Sequence, residues 1–426
     1  MLIAGQLLLV DSTDNASDPK GAAVSLGPHR SSPIASSRMV LKPGTIRTEG
    51  DRIAEVILGE IFAAADAGGP DCLITPGFID THLHLPQFDA IGAQGMRLLD
   101  WLDRVILPLE STWRDPQVAA ERAHRALTRC LRHGTTAVCA YATVHHEATA
   151  EALRVASELG IRGVIGQALM DREAPAELLS PADRQIEQTE RLLKRFPSSG
   201  RVAAAVTPRY AVACSPRLMR MAGELARSHN AIVQTHLAET LPECARVREL
   251  FAGRSYVDAY DEAGLLGPRS IFGHGIYLSP AEVARLVETG SVIAHCPLAN
   301  SFLASGMMPR ARWLACGVKL TLGSDIGAGY EVSMPRVARG MIETATARGD
   351  LPPTAAQAWH AITAGNADML GWHDAGRIEV GASSDILVIR PDVNWRDTPV
   401  DPLARTLFGW DDRWLEKILL RGRWVL

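Results

Sequence analysis

Between Cys72 and Trp372 the chain repeats one unit, a short and almost unbroken apolar run followed by a longer stretch of helical periodicity. The runs cover 72–84, 134–143, 161–171, 201–210, 231–239, 269–278, 291–297 and 318–325. Apolar character on consecutive residues, rather than on alternate ones, marks strands covered on both faces, as in a parallel sheet beneath helices. The helical patterns between them span 116–133, 148–159, 181–196, 216–229, 280–289 and 334–348. Asp115-Pro116, Ser215-Pro216 and Ser279-Pro280 each set a capping side chain before a proline at the first helical position. Eight such units predict an α/β chain folded as a (β/α)8 barrel of the TIM type. A doubly wound open sheet needs a glycine-rich turn after its first strand, and Leu85-Pro86-Gln87-Phe88 is not one.

The flanks read differently. Residues 1–71 show strand patterns at 1–10, 37–41 and 52–58, and residues 373–426 return to short strands such as Asp385-Ile386-Leu387-Val388-Ile389. Neither flank has enough apolar residues for a core of its own, so a small β-sandwich built from both chain ends is expected beside a barrel of residues 72–372. The stretch 12–36, rich in Ser, Asp, Gly and Pro, reads as an exposed, mobile loop of that sandwich. The tryptophans near the end, Trp395, Trp410, Trp414 and Trp424, serve either as core or as an apolar contact surface.

Charge and cysteine usage narrow the function classes. A formal net charge of -4 gives no reason to expect a nucleic-acid partner, since binding phosphate needs a basic stripe, and a small or neutral substrate fits better. The 7 cysteines are odd in number and scattered through apolar runs, which reads as buried reduced thiols. Met1 to Val10 is apolar but lacks a basic start and meets Asp11 at once, so it is read as a first strand and not a leader peptide. No run approaches the roughly 20 apolar residues of a membrane helix, and a soluble cytoplasmic protein without membrane contact is expected.

Polar residues stand where the apolar runs end. His82 and His84 close the first run, and a strand's period of two turns both imidazoles to one face. His236, His274 and Asp325 close the fifth, sixth and eighth runs. Together the five read as one mononuclear metal site at the carboxyl ends of the strands, where such barrels carry their chemistry. Imidazoles and a carboxylate suit Zn or Fe(II), and a metal-activated water makes hydrolysis the natural reaction class. Glu239 lies three residues beyond His236 and is the best general acid or proton shuttle. His274 is expected to steady the attacking water or the substrate, and Asp325 both to ligate and to accept a proton. His295 also ends a run and is given a supporting role; His145 and His146 are set aside.

The opening Pro76-Gly77-Phe78-Ile79-Asp80-Thr81-His82-Leu83-His84, the later histidines, Gly323-Ser324-Asp325 and the closing Gly376-Arg377-Ile378-Glu379-Val380-Gly381 resemble the amidohydrolase superfamily over nearly the whole chain. Within it the chain is similar to the guanine deaminases, through His84-Leu85-Pro86-Gln87, Leu99-Asp100-Trp101-Leu102, Thr207-Pro208-Arg209-Tyr210 and Ser324-Asp325-Ile326-Gly327-Ala328-Gly329. That resemblance implies hydrolytic deamination of guanine, with one zinc ion held by His82, His84, His236 and Asp325, and a homodimer. It implies that Gln87, Arg209, Tyr210, His236 and Glu239 contact the purine, and that Glu239, His274 and Asp325 are catalytic. A related base, such as 8-oxoguanine, a pterin or an s-triazine, is the alternative substrate. Binuclear relatives bridge two metals with a carboxylated lysine at the end of strand four; here the only lysines between His84 and Asp325 are Lys194 and Lys319, neither of them placed there, which favours one metal.

Overall fold

The computed structural model describes residues 1–11 and 38–425. The loop expected over 12–36 lies outside the described residues. In chain order the strands are β1 (Leu2–Asp11), β2 (Arg38–Glu49), β3 (Arg52–Leu58), β4 (Ala67–Pro76), β5 (Phe78–His84), β6 (Thr135–Tyr141), β7 (Arg162–Leu169), β8 (Val202–Pro208), β9 (Val233–Leu237), β10 (Ser270–His274), β11 (Val292–His295), β12 (Lys319–Leu322), β13 (Ile386–Ile389), β14 (Leu415–Leu420) and β15 (Arg423–Trp424). Among the described residues they form two sheets.

Strands β5 to β12 are the barrel, each paired in parallel with the next. The first and last strands are tied by polar contacts. Asn366 donates from Nδ2 to the carbonyls of Ile79 and Leu322, both at 2.8 Å, and its Oδ1 accepts from the Leu322 amide. Thr81 Oγ1 donates to the Leu322 carbonyl at 3.0 Å, and the Asp325 amide donates to His82 O at 2.7 Å. These bonds satisfy buried backbone groups that an open sheet edge would leave without partners. Helices such as Pro116–Arg132, Pro216–Ser228 and Pro280–Thr289 cover the outside, and Asp115, Ser215 and Ser279 cap them as the sequence pattern predicts.

The run expected over 72–84 is two strands in two different sheets. Strand β4 ends at Pro76, Gly77 turns the chain, and β5 starts at Phe78. A Cβ on Gly77 would lie 2.0 Å from Thr136 Oγ1, so only glycine lets the chain pass from one sheet to the other here. The assignment of 72–76 to the barrel is therefore corrected: these residues pair with β1 and β13. The start of β4 escaped sequence analysis because Gly68-Gly69-Pro70-Asp71 has the composition of a turn.

The second sheet has seven strands in the order β15-β14-β13-β4-β1-β2-β3, joining both chain ends. It curls until β3 meets the segment before β13, where Ile53 and Ala382 share a backbone hydrogen bond of 2.9 Å. Alternate residues face opposite ways. Ile3, Leu7, Ile74, Ile386 and Val388 fill the space inside the curl, while Leu8, Leu73, Leu387 and Ile389 pack towards Trp359 and Met341 beside the barrel. Trp395, Trp410 and Trp414 are buried in that second cluster, so they serve the core and not a contact surface. All seven cysteines are free, six of them buried. No helix among the described residues is long and apolar enough to cross a membrane.

Candidate active site

The barrel strands deliver the expected residues to one rim. His82 and His84 sit on the same face at the end of β5, His236 near the end of β9, His274 at the end of β10, and Asp325 just past β12. Ala238, His274 and Asp325 have φ of 46°, 72° and 54°. A non-glycine residue in this left-handed region is strained, and here the sharp turn stops each strand at the rim and aims side chains across it. His82 lies between two glycines: a Cβ on Gly273 would approach its Cε1 to 2.5 Å, and one on Gly323 its Cβ to 2.6 Å. Buried Asp80 fixes the same strand end by accepting from the amides of His82 at 3.2 Å and Ser324 at 3.0 Å, and from Ser324 Oγ.

His82, His84, His236 and Asp325 bring four potential ligand atoms within 4.8 Å of one another. Asp325 Oδ1 is 3.4 Å from Nε2 of both His82 and His84, and the Nε2 atoms of His84 and His236 are 3.1 Å apart. Burial pushes all three imidazoles well below their ordinary pKa, so each is neutral and offers a lone pair. His82 Nε2 is buried without a hydrogen-bond partner. His236 Nδ1 donates to the Arg209 carbonyl at 2.5 Å, which leaves Nε2 as the free acceptor. An N3O set with an orphaned nitrogen at its centre fits a divalent cation. His274, Cys296 and Asp325 also lie within 4.8 Å, but burial pushes the Cys296 thiol well up and keeps it protonated, a poorer donor.

His274 and Glu239 form a buried pair of titratable groups. His274 Nδ1 meets Asn300 Oδ1 at 2.9 Å, and its Nε2 lies 3.2 Å from Glu239 Oε2 and 3.9 Å from Asp325 Oδ2. Burial opposes its charge, yet the carboxylates of Glu239 and Asp325 with the Asn300 bond outweigh it and raise the pKa. Glu239 accepts from Ser305 Oγ at 2.6 Å; burial pushes its carboxyl up to about 7. His295 ends β11 with Nδ1 unpartnered and its carbonyl accepting from the Gly323 amide at 2.9 Å. His145 and His146 begin the helix on the far side of the next turn and do not join the group.

A pocket opens beside these atoms, lined by Gln87, Leu98, Trp101, Arg209, Tyr210 and Leu303 as well as Glu239 and His274. Three residues that organise it went unrecognised in the sequence. Glu110 pairs with Arg209 and Gln87, Asn300 orients His274, and Ser305 holds Glu239. Only Glu110 left a signal, as the lone acid in Val105-Ile106-Leu107-Pro108-Leu109-Glu110.

The model of the Amidohydrolase family matches residues 73–425. The chain belongs to the amidohydrolase family. Among the relatives of this amidohydrolase, a guanine deaminase of Escherichia coli (strain K12) is 35% identical over 368 residues, covering 83% of each chain. A guanine deaminase of Dictyostelium discoideum is 32% identical over 366 residues, covering 82% of this chain and 81% of its own. A solved guanine deaminase from C. acetobutylicum, with guanine bound in its active site, superposes on the amidohydrolase with a TM-score of 0.87 at 26% identity, covering 100% of this chain and 99% of that one.

Proposed function

We propose that this amidohydrolase is a guanine deaminase, converting guanine and water to xanthine and ammonia. The observation that carries the reading is the juxtaposition, in one pocket, of Arg209 and Gln87 with the His82, His84, His236 and Asp325 cluster. The guanine deaminase relatives support it. In this reading zinc would be held by those four residues and would supply Lewis acidity, lowering the pKa of a water towards neutrality. Asp325 Oδ2 takes the proton that the water gives up, and His274 Nε2, facing both carboxylates, holds the water in line. Glu239 delivers a proton to the ring nitrogen beside the amino-bearing carbon as the water oxygen bonds to that carbon. The proton taken by Asp325 then passes to the amino nitrogen, the C–N bond breaks to release ammonia, and the new hydroxyl returns a proton to Glu239 as it becomes the carbonyl of xanthine.

Recognition falls to the other half of the pocket. The Arg209 fork binds the carbonyl oxygen and stabilises charge drawn onto it, Gln87 reads the ring edge, and Tyr210 lies against the face. A homodimeric cytoplasmic enzyme of purine catabolism is the setting this reading implies, and light scattering on the purified protein tests the dimer.

Ammonia release from guanine, 8-oxoguanine, adenine and cytosine, measured before and after chelation, tests substrate and metal together. Guanine is expected to be the best substrate and chelation to abolish turnover. Arg209→Ala is expected to lower kcat/KM for guanine by about 100-fold to 1,000-fold, the scale of a lost oxyanion donor. Full guanine activity in that variant would falsify the clamp.

A further inference from the structure

Glu110 sits on the short helix Leu107–Ser111 and is 0% exposed. Its Oε2 pairs with Arg209 Nη1, and its Oε1 accepts from Gln87 Nε2 at 3.1 Å. Gln87 Oε1 in turn faces the Gly327 amide at 3.4 Å, so both ends of that amide have assigned partners. The fit is close: a Cβ on Gly327 would lie 2.3 Å from the Gln87 carbonyl oxygen. One carboxylate thereby joins the end of β8, the turn after β5 and, through Gln87, the segment after β12. Arg209 is itself buried, and a guanidinium without an anion beside it would be an uncompensated interior charge.

We infer that Glu110 is a positioning and specificity-determining residue that fixes the purine clamp and cancels its charge, so that the site holds neutral guanine and lets the more acidic product go. The inference rests on the proposed function. Guanine is uncharged near neutral pH. Xanthine carries a carbonyl and an additional ring N–H where guanine has its amino group, and it loses a proton more readily. A bare buried guanidinium attracts that anion, whereas one paired to Glu110 presents directional donors with little net charge.

The test compares the zinc-loaded parent with Glu110→Gln, using guanine as substrate and xanthine as a competitive inhibitor below and above the ionisation of xanthine. His84, Tyr210, His236, Glu239, Glu243, His274 and Asp325 line the same pocket in both proteins, so the two are compared at each pH. The substitution is expected to raise KM for guanine by about tenfold or more with a smaller change in kcat, the effect of a disordered buried clamp. Xanthine is expected to inhibit the variant increasingly as it ionises, and the parent not. Unchanged KM, or raised KM without that tightening, overturns the inference. Should Glu110→Gln fail to fold, Glu110→Asp decides it: a shortened but charged carboxylate is expected to raise KM for guanine and leave the pH dependence of xanthine inhibition as in the parent. An unchanged KM there also overturns it. Absence of guanine turnover in the parent sinks the proposed function itself, and the inference with it.

Discussion

The imidazole of His236 is hydrogen-bonded through Nδ1 to the main-chain carbonyl of Arg209 at 2.5 Å. One bond therefore sets the tautomer of a candidate metal ligand and the position of the residue expected to hold the substrate. The candidate metal ligand and the candidate purine contact are thereby registered against each other where the adjacent barrel strands β8 and β9 end.

His236→Ala removes one nitrogen from the candidate ligand set. After chelation and dialysis, the parent is expected to regain activity on addition of Zn2+ or Fe2+, while the variant binds either metal at least about 10-fold to 100-fold more weakly. Metal content by elemental analysis checks this, and equal stoichiometry in the two proteins would count against His236 as a ligand.

Glu239→Gln keeps the volume and the Ser305 contact but cannot give up a carboxyl proton. The expected outcome is a fall in kcat of about 100-fold to 10,000-fold, with metal content unchanged and KM within a few-fold of the parent. Loss of metal instead of turnover would reassign Glu239 to the ligand set.

Gly273→Ala tests how closely β10 approaches the His82 ring. A methyl group 2.5 Å from Cε1 must displace either the ring or the strand. A destabilisation of about 1–3 kcal/mol in denaturant unfolding is expected, together with weaker metal binding. Stability and metal affinity equal to the parent would mean that the rim tolerates a shift the packing does not suggest.

Asp412 predicts a pH dependence of stability away from the active site. It accepts from Trp410 Nε1 at 2.9 Å, faces His133 Nδ1 at 3.2 Å and pairs with Arg336 Nη2 at 3.0 Å, so it ties the C-terminal segment to two barrel helices. Burial opposes its charge, but the neighbouring His133 and Ser333 side chains and the Trp410 bond outweigh burial and hold the carboxyl well below its usual range. A depressed carboxylate stabilises the fold above its unfolded pKa, and that stability is lost as pH falls towards the folded value. Asp412→Asn is therefore expected to be less stable than the parent by about 1–3 kcal/mol at neutral pH. The gap should narrow as the buffer is taken below the ordinary carboxylate range; a constant gap from neutral to acid would contradict the assignment.

Much of the architecture was legible because its determinants are local. A buried parallel strand must be apolar at consecutive positions, and a helix start asks for a cap and tolerates a proline, so residues such as Val202 to Val206 and Ser279-Pro280 announce their elements unaided. The passage from β4 to β5 was not legible, since two buried strands joined through one glycine carry the same composition as a single long one. The rim histidines stood out as polar residues ending apolar runs. Asn300 and Ser305 did not, and Glu110, though a lone acid after an apolar run, gave no hint of its role, for their partners lie 26, 66 and 99 positions away.

By itself the sequence determined the period of the elements, the residues that end each strand and hence the donor types available at the rim, because those follow from steric and solvation preferences within a few residues. Only the tertiary structure decided which donors meet: that His274 faces Glu239 and Asn300, that Asp80 holds Ser324, and that a single buried carboxylate joins Arg209 to Gln87. Those contacts depend on how the barrel closes, and closure is a property of all eight strands at once.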